Sequence, residues 1–214
     1  MLIYTVGTLS SFIEKHAGDP KLLNVFLSIT SQLLTGLLLM HATKQLHRDI
    51  KPDNILLSGE DIQNLVAKLG DFGLARDNKL TAKTFTHIGS QFYWAPERLR
   101  YEKYAEAADV WALGLSLYEL FSGKEKYPFP MRGEDIMEKP AAPLPDWVPE
   151  TVSKIILGML EKDAGNRITC QKAMTALMTA SFSKVSISTP PSKAPPAKAA
   201  PSKFTLGLAT TGNK

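Results

Sequence analysis

His47-Arg48-Asp49-Ile50-Lys51-Pro52-Asp53-Asn54, Asp71-Phe72-Gly73 and Ala95-Pro96-Glu97 follow one another in the middle of the chain, with Asp71 falling 17 residues after Asn54. Asn54 and Asp71 offer hard oxygens, the donor type that Mg²⁺ prefers over nitrogen or sulfur. Lys51 sets a cation two residues from Asp49, and Gly73 permits a sharp backbone turn just behind Asp71. Any one of these side chains alone reads as an ordinary turn or cap residue; the ordered combination does not.

Outward from this stretch, Gln45-Leu46, Ile55-Leu56-Leu57 and Leu65 to Leu69 are short apolar runs bounded by polar turns and predict small strands, the last two a hairpin around Ser58 to Asn64. Upstream, Ser10 or Ser11 caps a brief helix through Phe12, Ile13 and Lys15, stopped at Gly18-Asp19-Pro20. A long apolar helix follows from about Pro20 to His41. Downstream, residues 77 to 89 lack a period and read as a loop. Val110, Leu113, Leu117, Leu120 and Phe121 recur at helical spacing in a helix from about Tyr104, which Gly123 stops. Six prolines between Pro128 and Pro149 leave room only for a short helix near Glu134 to Glu138, before two more over Glu150 to Leu160 and Thr169 to Met178. The expected fold is mainly α with short β hairpins.

Composition divides the chain in two. Residues 1–182 carry 20 Lys and Arg against 21 Asp and Glu, whereas residues 183–214 carry 5 Lys and no acid, so the net charge of +4 belongs to the tail. The first part is the folded domain. The second is rich in Pro, Ala, Lys and Ser, buries too little apolar surface to offset its ordering entropy, and is expected to be disordered. A nearly neutral body gives no electrostatic footprint for nucleic acid. One cysteine, Cys170, rules out an intrachain disulfide and fits a reducing compartment, cytoplasmic or nuclear. Leu22 to Thr43 passes 22 residues without a formal charge, long enough for a membrane span, but Asn24, Ser28, Thr30, Ser31, Gln32 and Thr35 interrupt it and favour a helix buried inside a globular body. No membrane partner is expected.

The three strings resemble the signature of eukaryotic-type protein kinases, in its serine/threonine form because Lys51 stands where tyrosine kinases carry an arginine-containing loop. The resemblance implies ATP and Mg²⁺ as cofactors, a protein substrate, and roles for particular residues. Asp49 would be the base that orients the acceptor hydroxyl, Lys51 would neutralise charge on the transferred group, Asn54 and Asp71 would hold Mg²⁺, and Leu56 would be the apolar floor under the adenine. Arg48 beside Asp49 resembles members switched by phosphate on the activation loop, with Thr84 and Thr86, ahead of Thr81, as acceptors. Ser90 keeps a hydroxyl at the usual Gly-Thr position of the substrate loop. Asp109 would accept hydrogen bonds from the catalytic-loop backbone, and Glu97 and Arg167 would pair as structural ions.

No G-x-G-x-x-G or V-A-x-K string occurs before His47. The resemblance, which covers about residues 1 to 180, therefore implies a truncated kinase: a carboxy-terminal lobe, its amino-terminal lobe missing, with little activity alone, an open apolar face, and a complementary lobe or regulatory protein as partner. The competing expectation is a non-catalytic interaction module of kinase-like fold, a pseudokinase; intact Asp49, Lys51, Asn54 and Asp71 favour the enzyme.

Overall fold

The structure, a computed structural model, describes residues 4–71, 88–102, 105–123, 128–129 and 139–183. The expected short helix at 134–138 and the tail from 184 onward lie outside the described residues. Strand β1 (Tyr4–Thr8) runs straight into helix α1 (Leu9–His16). The cap is Thr8 rather than Ser10 or Ser11, because Thr8 is the last extended residue while both serines already sit in the first turn. Ser11 serves from inside that turn, its hydroxyl donating to the Thr8 carbonyl at 2.8 Å. Leu9, Phe12 and Ile13, spaced as one helical face, are buried.

Asp19 accepts from the Lys21 N–H at 2.9 Å and starts a 3₁₀ turn, Pro20–Leu22, that feeds helix α2 (Leu23–Ala42). Its apolar residues are not spread evenly between core and surface: Val25, Phe26, Ile29, Leu33, Leu34 and Leu37 are buried, while Leu39 is 65 % exposed. The helix packs on a small sheet, on helix α4 (Glu106–Ser122) and on helix α6 (Cys170–Ser183). It ends in a turn in which Lys44 adopts φ +60° and the Gln45 N–H returns to the Met40 carbonyl at 3.0 Å. That bond, together with the His47 N–H committed to Asp109, takes backbone donors that a strand would use, so Gln45-Leu46 is not the expected strand.

Strands β2 (Ile55–Gly59) and β3 (Val66–Leu69) form the expected hairpin, with Ile55 opposite Leu69 and Leu57 opposite Ala67. β1 pairs antiparallel with the far side of β2, so the sheet order is β1-β2-β3. Alternation along β2 buries Ile55 and Leu57 and leaves Leu56 half-exposed on the outer face, beside Val66. The other edge of β3 is closed by one side chain. Gln32 of α2 donates from Nε2 to the Leu65 carbonyl and accepts at Oε1 from the Ala67 N–H, both at 2.9 Å, so its amide stands in for a neighbouring strand.

Every residue of α4 from Ala108 to Ser122 is buried. Its serines bond locally, Ser116 and Ser122 donating to the carbonyls four residues back. Gly123 ends the helix at φ +99°, a conformation that glycine reaches without a Cβ penalty. Helix α3 (Pro96–Leu99) lies just before α4, and α5 (Glu150–Met159) packs against both α4 and α6. Aromatic rings tie the layers together: Phe26 meets Phe121 edge-on at 5.4 Å, and Trp111 stacks on Phe129 at 5.5 Å.

Candidate active site

The site is built where the turn after α2 meets the end of β3, on a floor made by α4. Asp109, in the first turn of α4, is 3 % exposed. Its Oδ2 accepts from the His47 N–H at 2.8 Å, its Oδ1 from the Arg48 N–H at 2.8 Å, and His41 Nε2 lies 3.1 Å from Oδ2. A buried carboxylate is tolerable only with such partners, and here they are the backbone of the loop that carries Asp49. A second tie crosses to the residue just after β3, where His47 Nε2 lies 2.9 Å from the Gly70 carbonyl. Arg48 itself takes φ +71°, a left-handed conformation that costs a non-glycine residue about 1 to 2 kcal/mol.

Around Asp49 the polar groups converge. Lys51 Nζ and Asn54 Nδ2 both lie 2.9 Å from Asp49 Oδ2, and Asn54 Nδ2 also donates to the Asp49 carbonyl at 2.8 Å. Two acceptors on the nitrogen fix the orientation of the Asn54 amide and turn its oxygen the other way. The 3₁₀ turn Pro52–Asn54 sets this spacing, since it folds Asn54 back over the residues that precede it. The Asn54 carbonyl in turn accepts from the Gly70 N–H at 2.7 Å. A Cβ at Gly70 would fall 3.2 Å from both that oxygen and Leu56 Cδ1, a close fit that glycine relieves. Asp71 is the next residue, exposed and at φ +53°. Residues held in such sparsely populated backbone regions cluster at functional sites.

The donor set suits Mg²⁺. An amide oxygen at Asn54 and a carboxylate at Asp71 are both hard ligands, and among the described residues no three His, Cys, Asp or Glu side chains form a metal-holding cluster. A cation bound here would take one or two protein ligands and the rest from phosphate and water, the habit of Mg²⁺ at nucleotide sites. Leu56 sits next to this point on the outer face of the sheet, 50 % exposed, where an apolar ring can lie against it.

The segment beyond the site is anchored through buried polar pairs. Glu97 and Arg167 meet in a two-pronged ion pair at 2.8 and 2.9 Å, and Arg167 Nη1 also donates to the Ala107 carbonyl at 2.7 Å. Tyr93 donates its hydroxyl to Glu119 at 3.0 Å and so fixes the end of the 3₁₀ segment Ile88–Tyr93 on α4. Ser90 lies in that segment, with its side chain outside the described residues; Thr81, Thr84, Thr86, Phe72 and Gly73 lie outside them altogether.

Sequence reasoning misses His41 and Arg98. Arg98 of α3 donates from Nη1 to the Arg48 carbonyl at 2.6 Å. The one signal for His41 is a lone ionisable group at the end of an otherwise uncharged helix; for Arg98 there is none.

The protein kinase domain family matches residues 4–178, which is most of the chain and holds every element just described except the last turn of α6. The chain belongs to the protein kinase family. Among relatives of this kinase chain, the serine/threonine-protein kinase Nek8 of Danio rerio is 34 % identical over 164 residues, covering 75 % of this chain and 23 % of that protein. The serine/threonine-protein kinase ATG1a of Arabidopsis thaliana is 37 % identical over 121 residues, 56 % of this chain and 19 % of that protein. A mitogen-activated protein kinase kinase, mkk2, of Aspergillus fumigatus is 37 % identical over 140 residues, 65 % of this chain and 26 % of that protein. The chain thus spans a quarter or less of the length of the first two relatives.

Proposed function

We propose that the chain transfers the γ-phosphoryl group of ATP to serine or threonine hydroxyls of a protein. In this reading Asp49 accepts the hydroxyl proton, Lys51 balances the charge that develops on the transferred group, Asn54 and Asp71 hold Mg²⁺, and Leu56 lies beneath the adenine. The cation, when bound, supplies charge neutralisation on the phosphate oxygens. The work of the protein is then positioning and electrostatics, and the observation that carries the reading is the meeting of Lys51 and Asn54 on one oxygen of Asp49, each at 2.9 Å. Asn54 keeps the carboxylate from turning away, and Lys51 sets a cation against the same oxygen. Arg48 and the threonines Thr84 and Thr86 form the proposed phosphate switch, and Ser90 the proposed contact to the acceptor loop. Residues 1–182 form the proposed domain and 183–214 a tail. The single buried thiol of Cys170 supports a reducing compartment, cytoplasm or nucleus.

Leu56 and Val66 are 50 % and 44 % exposed on one face of the sheet. We infer that this face is covered by a complementary lobe, in the same polypeptide or another, and that nucleotide affinity and turnover rise when it is. Incubating the purified chain with γ-labelled ATP, Mg²⁺ and mixed serine, threonine and tyrosine peptides tests the function. Label should appear on serine or threonine and fall about 10²-fold or more in Asp49→Asn. Equal labelling by wild type and Asp49→Asn would turn the assignment to a non-catalytic module.

A further inference from the structure

Arg48 is held from both sides of its backbone. Its N–H donates to Asp109 Oδ1 at 2.8 Å, and its carbonyl accepts from Arg98 Nη1 at 2.6 Å. The carbonyl belongs to the peptide unit that ends at the Asp49 nitrogen, and that unit is rigid and planar. Its tilt, together with the Asp49 dihedrals, sets the direction in which the Asp49 carboxylate leaves the backbone. With Arg48 at φ +71°, the peptide sits in a conformation that relaxes unless something holds it.

Arg98 is equipped to hold it. Its guanidinium lies over the Trp94 ring, 4.1 Å from the centroid, and Trp94 is 5 % exposed, so the cation rests on a fixed surface. The next residue back, Glu97, is locked to Arg167 on the other side of α3, which fixes the short helix that Arg98 projects from. The space between Arg48, Asp49, Trp94, Arg98 and Asp109 is about 10 Å³, room for about one water, so the guanidinium and the peptide it grips are packed closely together.

We propose that Arg98 is a positioning residue for phosphoryl transfer, acting through the Arg48–Asp49 peptide. The inference rests on the reading of Asp49 as the base. It makes α3 a mechanical link: the buried ion pair Glu97–Arg167 fixes the helix, Arg98 fixes the peptide, and the peptide aims the carboxylate. Asp109 supplies the opposite grip, so the two groups clamp one residue from α4 and α3 respectively.

Three variants of the full chain test this: Arg98→Met, which keeps the apolar stem but loses the donors, Arg98→Lys, which keeps a charge and one donor group, and Asp49→Asn as reference. The readouts are kcat and KM for ATP and for a serine peptide, the melting temperature, and the Asp49 amide resonance with its hydrogen-exchange rate. Arg98→Met should lower kcat about 10²-fold with both KM values unchanged, because misplacement of a reacting group by an ångström costs that much. The Asp49 amide should shift and exchange faster, and Arg98→Lys should recover part of both effects. Wild-type kcat in Arg98→Met, or a loss of kcat that follows the melting temperature while the Asp49 amide stays in place, overturns the proposal. If Arg98→Met does not fold, Arg98→Lys decides: an intermediate kcat with a displaced amide supports it, and wild-type kcat overturns it. A wild-type chain no faster than Asp49→Asn overturns the phosphotransfer reading and the positioning role with it; the amide resonances then still show whether Arg98 grips the peptide.

Discussion

Replacing Asp109 by asparagine is the sharpest probe of how the loop carrying Asp49 is held. The carboxylate accepts two backbone N–H groups, from His47 and Arg48, one on each oxygen and each at 2.8 Å, and His41 approaches Oδ2 at 3.1 Å. Asparagine keeps one oxygen and points an NH₂ donor at whatever faced the other. One charge-assisted bond, worth about 1.5 to 3 kcal/mol, becomes a neutral one, and the other becomes a contact between two donors that strands a buried N–H at a cost of about 1 to 3 kcal/mol. Asp109→Asn should therefore lose about 2 to 5 kcal/mol, a large share of the 5 to 15 kcal/mol by which domains are stable. Urea titration followed by circular dichroism reads the total. Hydrogen exchange reads its location: the amides of His47 and Arg48 should lose protection ahead of the α4 interior. A loss below about 1 kcal/mol, with both amides as protected as in wild type, would refute the reasoning, because it would mean that Asp109 does not carry the loop.

Three further outcomes follow from the same geometry. Arg167→Ala strands the Glu97 carboxylate, 6 % exposed, and should cost about 3 to 5 kcal/mol in urea titration, while Arg167→Lys, lacking the two-pronged fork, recovers only part. Gln32→Ala leaves the Ala67 N–H and the Leu65 carbonyl without their partner; it should cost about 1 to 3 kcal/mol and speed exchange at Ala67 more than at the paired amides of β2. Cys170 has its thiol pKa pushed up to about 11, first by burial and then by the Glu106 charge, and its Sγ donates to the Leu34 carbonyl at 3.2 Å. It should resist alkylation at pH 8 in the native chain and react on unfolding. Because the folded state keeps the proton longer, stability is full below pH 9 and falls by about 2 to 3 kcal/mol as pH rises toward 11; Cys170→Ala should remove that part of the pH dependence in urea titrations.

What the sequence discloses is what local spacing determines. The uncharged run from Leu22 and the periodic run through Val110 to Phe121 mark α2 and α4, because helices that are apolar on most faces need burial wherever they are placed. The Asp49, Lys51 and Asn54 contacts span five residues and follow from one tight turn, so they too are legible. Pairing of β1 with β2 is not, since nothing in Tyr4 to Thr8 names a partner some 50 residues away. Gln32 closing the edge of β3 and Arg98 gripping Arg48 depend equally on where folded segments end up. The false strand at Gln45-Leu46 is instructive: its apolar character is right, but its backbone donors are already spoken for by the end of α2 and by Asp109.

The central proposal is that Asn54 and Asp71 hold one nucleotide-bound cation close to Asp49, and paramagnetic Mn²⁺ tests it without requiring turnover. Titrating Mn²⁺ with ATP into isotope-labelled chain should broaden the Asn54 and Asp71 resonances first and Asp49 soon after, and Asn54→Ala or Asp71→Ala should abolish the effect. Broadening that leaves these three untouched, or that survives both substitutions, would contradict it.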